Sequence, residues 1–548
     1  MFARFRSPTA PASSASGLWP CSIKGRVVRA MLGTAALVFA LAAALYFGLR
    51  ESWNQQPTQE DIRSGKLLAK THCSKCHSTP DPHHLPVDHW PEALDWMGNY
   101  LGFRNVDGGL GRLVDESLIP PNPFITVEQL AQIRSYYLLT SPSQAELLKD
   151  YPVRPQAAVT QFTPYHPQFK LPSDELISMI HIDEQRGHYY IGLGQETRLH
   201  VYDRHQNQRL DVKVASQPIH VETTASGCRL SLIGDLWEQR KKGQILDVET
   251  DGWHFKPQTL VAGFYRLVES HVRDFNQDGW NDLLIVAFGE GELGRVSVLW
   301  GQTGGGYRVP LTKRYDEEIL VDYGGALGAQ LHDLDDNGHE DILILTAQRY
   351  QELLVFLNQG NGQFERHVLL QNFAGFGFNQ FSLADFNHDG QADLVLVNGN
   401  NMELEPPVPL RPYHGVRILL NRGDLRFEEV CFIPLHGAMK AIPEDFDQDG
   451  DVDLATIAYF PDWAVSPPET FVYLENRGDF DFAPSVLDDR FWGRWLTMDS
   501  GDVDRDGDQD IMLGAGNSLL GISQRELDTY EKLKKDKPPV VILKNSLR

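Results

Sequence analysis

Five stretches of the chain repeat one pattern: DFNQDGWNDLLIV from Asp274, DLDDNGHEDILIL from Asp333, DFNHDGQADLVLV from Asp385, DFDQDGDVDLATI from Asp445 and DVDRDGDQDIMLG from Asp502. Their first aspartates stand 59, 52, 60 and 57 residues apart, a period that fits propeller blades and is too long for most helical solenoids. Each stretch puts oxygen-bearing side chains at positions 1, 3, 5 and 9 with glycine at 6. The candidate ligands are Asp274, Asn276, Asp278 and Asp282; Asp333, Asp335, Asn337 and Asp341; Asp385, Asn387, Asp389 and Asp393; Asp445, Asp447, Asp449 and Asp453; and Asp502, Asp504, Asp506 and Asp510. Hard oxygen donors around a tight glycine turn suit Ca²⁺. Of these 20 positions 17 are carboxylates, which repel one another without a cation, so about five calcium ions are expected. The loops are not EF-hands. Position 12, where a bidentate glutamate would stand, holds Ile285, Ile344, Leu396, Thr456 and Leu513, and a strand pattern follows instead of a helix.

A second shared signal follows the loops, a strand ending in Asn and then a glycine turn and Phe: LLVFLNQGNGQF, VRILLNRGDLRF and FVYLENRGDFDF. Loop and strands at this period resemble the FG-GAP/VCBS β-propeller family, the architecture of the integrin head. Two degenerate units precede the five, with Asp183 and Glu222 where a loop would begin. Two and five predict about seven blades, with six or eight as the alternatives. The last unit ends on VVILKN without an outer strand, and AVTQFTPYHP at 158–167 has the character to supply it. Pairing the first strand with the last blade would remove the open edge.

Upstream stands Cys73-Ser74-Lys75-Cys76-His77. Cys-x-x-Cys-His is the c-type haem attachment signature, two thiols for the two thioethers and an imidazole for the proximal side of the iron. A redox dithiol does not need the histidine, and a zinc knuckle needs a second Cys-x-x-Cys that the sequence lacks. One covalent haem c is therefore expected. The segment TQEDIRSGKLLAKTHC reads as a helix from an N-cap at Thr58, with Gly65 positioned for close approach of another helix. A further helix opens at a Thr126/Gln129 capping box and runs through Leu130, Ile133 and Tyr137. A helix before the motif and a closing helix with paired tyrosines resemble the small all-α class I cytochrome c fold, over about residues 56–148. Met97 is favoured as the sixth ligand because it shares an apolar helical face with Leu94 and Leu101. His83, His84 and His89 are the competing ligands, which would make the iron bis-histidine.

Ala30–Leu49 is an apolar run interrupted only by Thr34, long enough to span a bilayer, preceded by Arg4, Arg6, Lys24, Arg26 and Arg29 without an acidic residue. An uncleaved single-pass anchor in the bacterial inner membrane is expected, with the N-terminus cytoplasmic and the rest periplasmic; the alternative is a cleaved signal peptide. The periplasm is also where haem is joined to Cys-x-x-Cys-His. Of five cysteines, Cys73 and Cys76 belong to the motif and Cys21 precedes the span, leaving Cys228 and Cys431 as expected free thiols. The formal charge of −24 argues against nucleic acid.

These boundaries divide the chain into a basic cytoplasmic leader (1–29), the anchor (30–49), a linker (50–57), a cytochrome c-like domain (58–148), a Pro-rich linker contributing an outer strand (149–172) and the propeller (173–548). The wider arrangement is similar to a group of bacterial VCBS-repeat proteins with an N-terminal Cys-x-x-Cys-His segment, on CSKCHSTPDPHHLPVDHWPEALDWMGNYLG and NGNNMELEPPVPLRPYHGVRILLNRGD. The resemblance implies haem with a propeller and no particular substrate. Three functions are consistent with the sequence. The leading one is a membrane-anchored electron carrier whose propeller recognises a redox partner in the periplasm or inner membrane. The second is a haem-coupled oxidoreductase acting on a propeller-bound glycan or small molecule, and the third a recognition or adhesion module. Long connections between second and third strands gather on the face opposite the calcium loops, and place Arg411, Tyr413, His414 and Trp463 either to meet an acidic or hydroxylated ligand or to cap the central channel and pack on one another.

Overall fold

Seven antiparallel four-stranded sheets make up the β portion of the computed structural model. The structure describes residues 58–546 apart from 105–113, 115, 153–156, 225–226, 237–239, 251–254, 290–292, 302–315, 402–408, 492, 519–521 and 525. The predicted membrane span, its basic leader, the 50–57 linker and Cys21 lie outside the described residues. Among the described residues no helix is long and apolar enough to cross a membrane.

Each sheet is one blade of a propeller, and blades 3 to 7 each contain one aspartate loop between their first and second strands. The second strands begin at the position-9 aspartate and are buried at every residue: Asp282–Ala287, Asp341–Thr346, Asp393–Asn398, Asp453–Ala458 and Asp510–Ala515. Short apolar runs buried on both faces are what a sheet sandwiched between neighbours requires. Blades 1 and 2, from Ile177 to Lys213 and from Pro218 to Phe264, are the two degenerate units.

The first strands clasp one another from blade to blade through side chains. Ser178 Oγ donates to Pro218 O at 2.6 Å and Gln330 Nε2 donates to Phe381 O at 3.0 Å, while between blades 2 and 3 it is Ser231 of the second strand whose hydroxyl meets that of Ser270 at 3.1 Å. Gln380 Oε1 accepts from Ala441 N at 3.2 Å, Lys440 Nζ donates to Met498 O at 2.8 Å, and Asp499 Oδ2 accepts from Ile182 N at 2.8 Å. No single motif encodes this ring. It uses polar residues that would otherwise strand backbone groups between sheets.

Blade 7 consists of Trp495–Gly501, Asp510–Ala515, Val540–Asn545 and, as its outer strand, Phe162–Tyr165 from the start of the β portion. Phe162 faces Asn545 in register and Tyr165 faces Ile542. The Phe162 ring lies edge-on to Phe446, Phe471 and Tyr473 of blade 6, with centroids 5.5, 6.5 and 5.2 Å away. Because Phe162 is buried at this seam, Phe162→Ala is expected to cost about 3–5 kcal/mol. Amide exchange along Val540–Asn545 should rise first, and unchanged denaturation would show that the seam is held elsewhere.

The helical segment comprises α1 (Gln59–Cys73), α2 (Trp90–Tyr100), α3 (Val127–Thr140) and the short α4 (Gln144–Leu147). The Thr126/Gln129 capping box is formed at the start of α3. Gly65 of α1 meets α3 so closely that an added Cβ would stand 2.1 Å from Gln132 O, so only glycine permits the crossing. A cluster of Ala69, Leu85, Trp90, Leu94, Leu130, Ile133 and Tyr137 fills the interior, with Trp90 stacked 4.0 Å from Tyr137. Arg134 of α3 pairs with buried Asp95 of α2.

Candidate functional site

The five aspartate loops share one backbone conformation. The fourth residue of each (Gln277, Asp336, His388, Gln448 and Arg505) lies in the left-handed region, with φ of 56°, 56°, 55°, 59° and 65°. The glycine at position 6 has φ of 84° to 101° and open space where a Cβ would go, so its backbone conformation, not crowding, demands glycine. The position-1 carboxylate folds the turn. Asp274, for example, accepts from Asp278 N at 3.1 Å and Gly279 N at 2.9 Å.

The position-9 aspartates are fully buried and lock each loop to its sheet. Asp341 accepts from Leu334 N at 2.8 Å through one oxygen and Asn358 N at 2.7 Å through the other. Asp282, Asp393, Asp453 and Asp510 repeat this with Phe275 and Gly301, Phe386 and Asn421, Phe446 and Asn476, and Val503 and Asn545. The Asn that ends the third strand is thus explained as the partner of this lock. Burial, reinforced by neighbouring aspartates, pushes Asp341 and Asp453 up to about 6 and Asp510 up to about 7. In three loops the carboxylates at positions 1, 3 and 9 offer oxygens within 4.8 Å of one another: Asp333, Asp335 and Asp341; Asp445, Asp447 and Asp453; Asp502, Asp504 and Asp510. In the loops at Asp274 and Asp385, position 3 is Asn276 or Asn387, whose amide oxygen would replace the second carboxylate. All are donors suited to Ca²⁺. Blade 1 substitutes a side-chain cation, since Arg186 Nη1 reaches Asp183 at 2.6 Å. In blade 2 Arg229 and Arg273 do the same for Glu222, at 2.9 and 3.1 Å.

Antiparallel strands put the loops joining second to third strands, and those joining successive blades, on the opposite face. The helical segment is seated there, over blades 4 to 6. Arg349 Nη2 lies 2.8 Å from Cys76 Sγ, and Ser78 N donates to Asn372 O at 3.3 Å. His84 stacks on Phe373 with centroids 3.7 Å apart and meets the edge of Tyr413 at 5.4 Å. Gln144 Nε2 donates to Leu410 O at 2.9 Å, and Tyr151 stacks on His436 at 4.1 Å.

Within this seat the Cys-x-x-Cys-His residues are held at the end of α1. Cys73 and Cys76 are half-buried free thiols, and burial followed by the neighbouring Cys76 pushes Cys73 up to about 11. His77 is 5% exposed, and its Nδ1 donates to Ser78 O at 2.8 Å. Nε2 is then the nitrogen that a metal would use. Tyr137 donates to Pro80 O at 2.9 Å and ties the segment to α3. Burial and the Arg349 cation lower the His77 pKa, so the ring is neutral at pH 7.

Met97 lies on α2 between Leu94 and Leu101, half-buried and not among the side chains packed in the helical cluster. His83 and His89 sit beside Asp81 and Asp88, at 2.9 and 3.1 Å. His84 is not a solvated histidine. It docks the helical segment, and burial drives it down to about 4. Arg411, Tyr413 and His414 take the second of their two expected roles and pack on one another, with the His84 ring against the edge of Tyr413. Arg411 and His414 are 2% and 0% exposed. Arg411 Nη1 and Tyr413 Oη both donate to Gly375 O, at 2.6 and 3.3 Å. Sequence spacing placed these residues on the face that seats the helical segment but carried no signal of that seat. Cys228 is buried and Cys431 half-buried, both as free thiols.

The fold and its loops define a seven-bladed β-propeller carrying five aspartate-rich turns and a helical segment on the opposite face. Residues 333–396, from the loop of blade 4 through the second strand of blade 5, match the FG-GAP-like repeat family. No curated protein sequence matches the chain. Among solved structures the chain is similar to the Neurospora crassa Pan2 WD40 domain, at 10% identity over 71% of this chain and 97% of that one, with a TM-score of 0.42. It is also similar to Saccharomyces cerevisiae Sqt1, at 9% identity over 72% and 100% of the two chains, with a TM-score of 0.39. The calcium-binding protein regucalcin of Agrobacterium tumefaciens is similar at 9% identity over 67% and 89%, with a TM-score of 0.32.

Proposed function

We propose that the chain is a membrane-anchored periplasmic c-type cytochrome whose calcium-binding propeller recognises a redox partner. The observation that carries this reading is the state of His77: buried, neutral, with Nδ1–H donating to the Ser78 carbonyl and the lone pair left on Nε2. A backbone acceptor on the far nitrogen is what orients a histidine ligand and fixes its tautomer. Cys73 and Cys76 would hold the haem vinyl groups, and Met97 or one of His83, His84 and His89 the sixth position. A thiol pushed up to about 11 does not match the lowered pKa of a redox dithiol. Haem bound there would supply a one-electron iron couple. The chain's own contribution is to hold His77 away from water and to place the Arg349 cation beside the segment, where it favours added negative charge.

The test is expression of the full chain in a bacterial periplasm that matures c-type cytochromes. One covalent haem per chain is expected by pyridine haemochrome spectrum, lost in the double variant Cys73→Ala/Cys76→Ala. Met97→Ala should remove the weak near-infrared thioether band with haem retained. A bis-histidine spectrum in the wild type moves the sixth ligand to the three histidines, and a wild type without covalent haem overturns the proposal. The FG-GAP-like repeat match favours a second reading, recognition alone, and that reading would then stand.

A further inference from the structure

The innermost strands of blades 2 and 3 bring together three side chains that neither the calcium loops nor the Cys-x-x-Cys-His segment uses. Glu269 and His271 flank buried Ser270 in Leu267–Arg273, and residues two apart on a strand share a face. His220 is in the adjoining first strand, Pro218–Thr224, with its ring centroid 5.4 Å from that of His271. His220, Glu269 and His271 offer donor atoms that all lie within 4.8 Å of one another. His271 Nε2 stands 3.3 Å from Glu269 Oε1, without the alignment of a hydrogen bond. His220 Nδ1 is buried and has no hydrogen-bond partner. Glu269 is itself oriented by blade 4, since Oε1 accepts from Ala329 N.

We propose that His220, Glu269 and His271 form a binding site for one divalent transition cation of the zinc class, near the propeller axis and separate from the aspartate loops. Two imidazole nitrogens and one carboxylate are a borderline-soft donor set that suits zinc, whereas Ca²⁺ takes oxygen alone. Tetrahedral donors about 2.1 Å from zinc stand about 3.4 Å apart. The His271–Glu269 pair, at 3.3 Å, already has that separation, and no pair in the cluster is more than 4.8 Å apart. Three protein ligands leave a fourth position for water or a small ligand. The competing role for these residues is a plain His–Glu clamp between blades, which would bind no metal.

The proposal is tested on the full chain, saturated with calcium, in a Cys73→Ser/Cys76→Ser background so that thiols do not compete for the probe. Zinc is titrated calorimetrically and cobalt(II) by its visible absorption. One equivalent is expected, with a tetrahedral cobalt spectrum. Changing a partner outside the ligand shell typically costs 10–100-fold in affinity, so losing a ligand should weaken binding by about 100-fold or more. That loss is expected in Glu269→Gln, which preserves shape, as well as in His271→Ala. His220→Asn provides a third reading if the alanine variant does not fold. A chain that binds no zinc overturns the site, and so does zinc affinity unchanged in Glu269→Gln and His220→Asn. Neither outcome bears on haem, because the site lies wholly within the propeller.

Discussion

Removing calcium from the full chain is expected to bring the propeller close to unfolding at neutral pH and much less so at pH 5. One site occupied at 100 times its dissociation constant stabilises by about 2.7 kcal/mol. Five such sites would rival the whole stability of a folded protein, about 5–15 kcal/mol. The pH dependence follows from the position-9 aspartates. Burial and neighbouring carboxylates raise Asp341 and Asp453 to about 6 and Asp510 to about 7, above the ordinary value of 3.8. A raised pKa means that the metal-free fold prefers the protonated acid. That preference stabilises fully below about pH 4 and is lost as pH rises through 6 to 7. The chelated protein should therefore melt at a lower temperature at pH 8 than at pH 5, and added calcium should raise the melting temperature most at pH 8. Asp449→Ala, at an exposed loop position, should remove one calcium by elemental analysis. Chelated protein with full, pH-independent stability would show that the loops close without a cation.

Those loops were legible in the sequence because their constraints are local. The turn needs a glycine five residues after the first aspartate, and the position-9 carboxylate must satisfy the loop's own amide. The same locality made the Thr126/Gln129 cap and the Gly65 crossing readable, and the unpaired VVILKN strand pointed to residues 158–167 for its partner. What could not be read are contacts between elements distant in the chain. Ser178, Gln330, Gln380 and Lys440 look like ordinary polar residues, and only the neighbouring blade makes them clasps. His220 carries no motif with Glu269 and His271 until two blades are adjacent. Arg411 and His414 read as either a recognition surface, because Pro-rich loops with aromatic and basic residues usually face solvent, or a packed cap, and the packed cap is what forms. The seat beside it, through a stack between His84 and Phe373, needs a second part of the chain.

Separating that seat is expected to have the second large effect. His84→Ala/Tyr151→Ala removes both aromatic stacks that hold the helical segment on blades 4 to 6, the first on Phe373 and the second on His436. Aromatic pairs contribute about 0.5–1.5 kcal/mol each beyond the area they bury, and burial adds a comparable amount. The seated-to-free ratio should fall by about 100-fold, since each 1.4 kcal/mol is a factor of ten. Hydrogen exchange at Asn372–Gly377 and Leu410–His414 should rise by that factor, and amides of blades 1 to 3 should keep wild-type protection. Low pH should act in the same direction on the wild type. Burial depresses His84 to about 4, so its neutral form supports the seat above the ordinary value of 6.5. That support is lost as pH falls from 6.5 toward 4. Unchanged exchange in the double variant would mean that the remaining contacts hold the seat: Arg349 with Cys76, Ser78 with Asn372, and Gln144 with Leu410. Exchange that rises only around Asn372–Gly377 would separate the His84 stack from the Tyr151 stack.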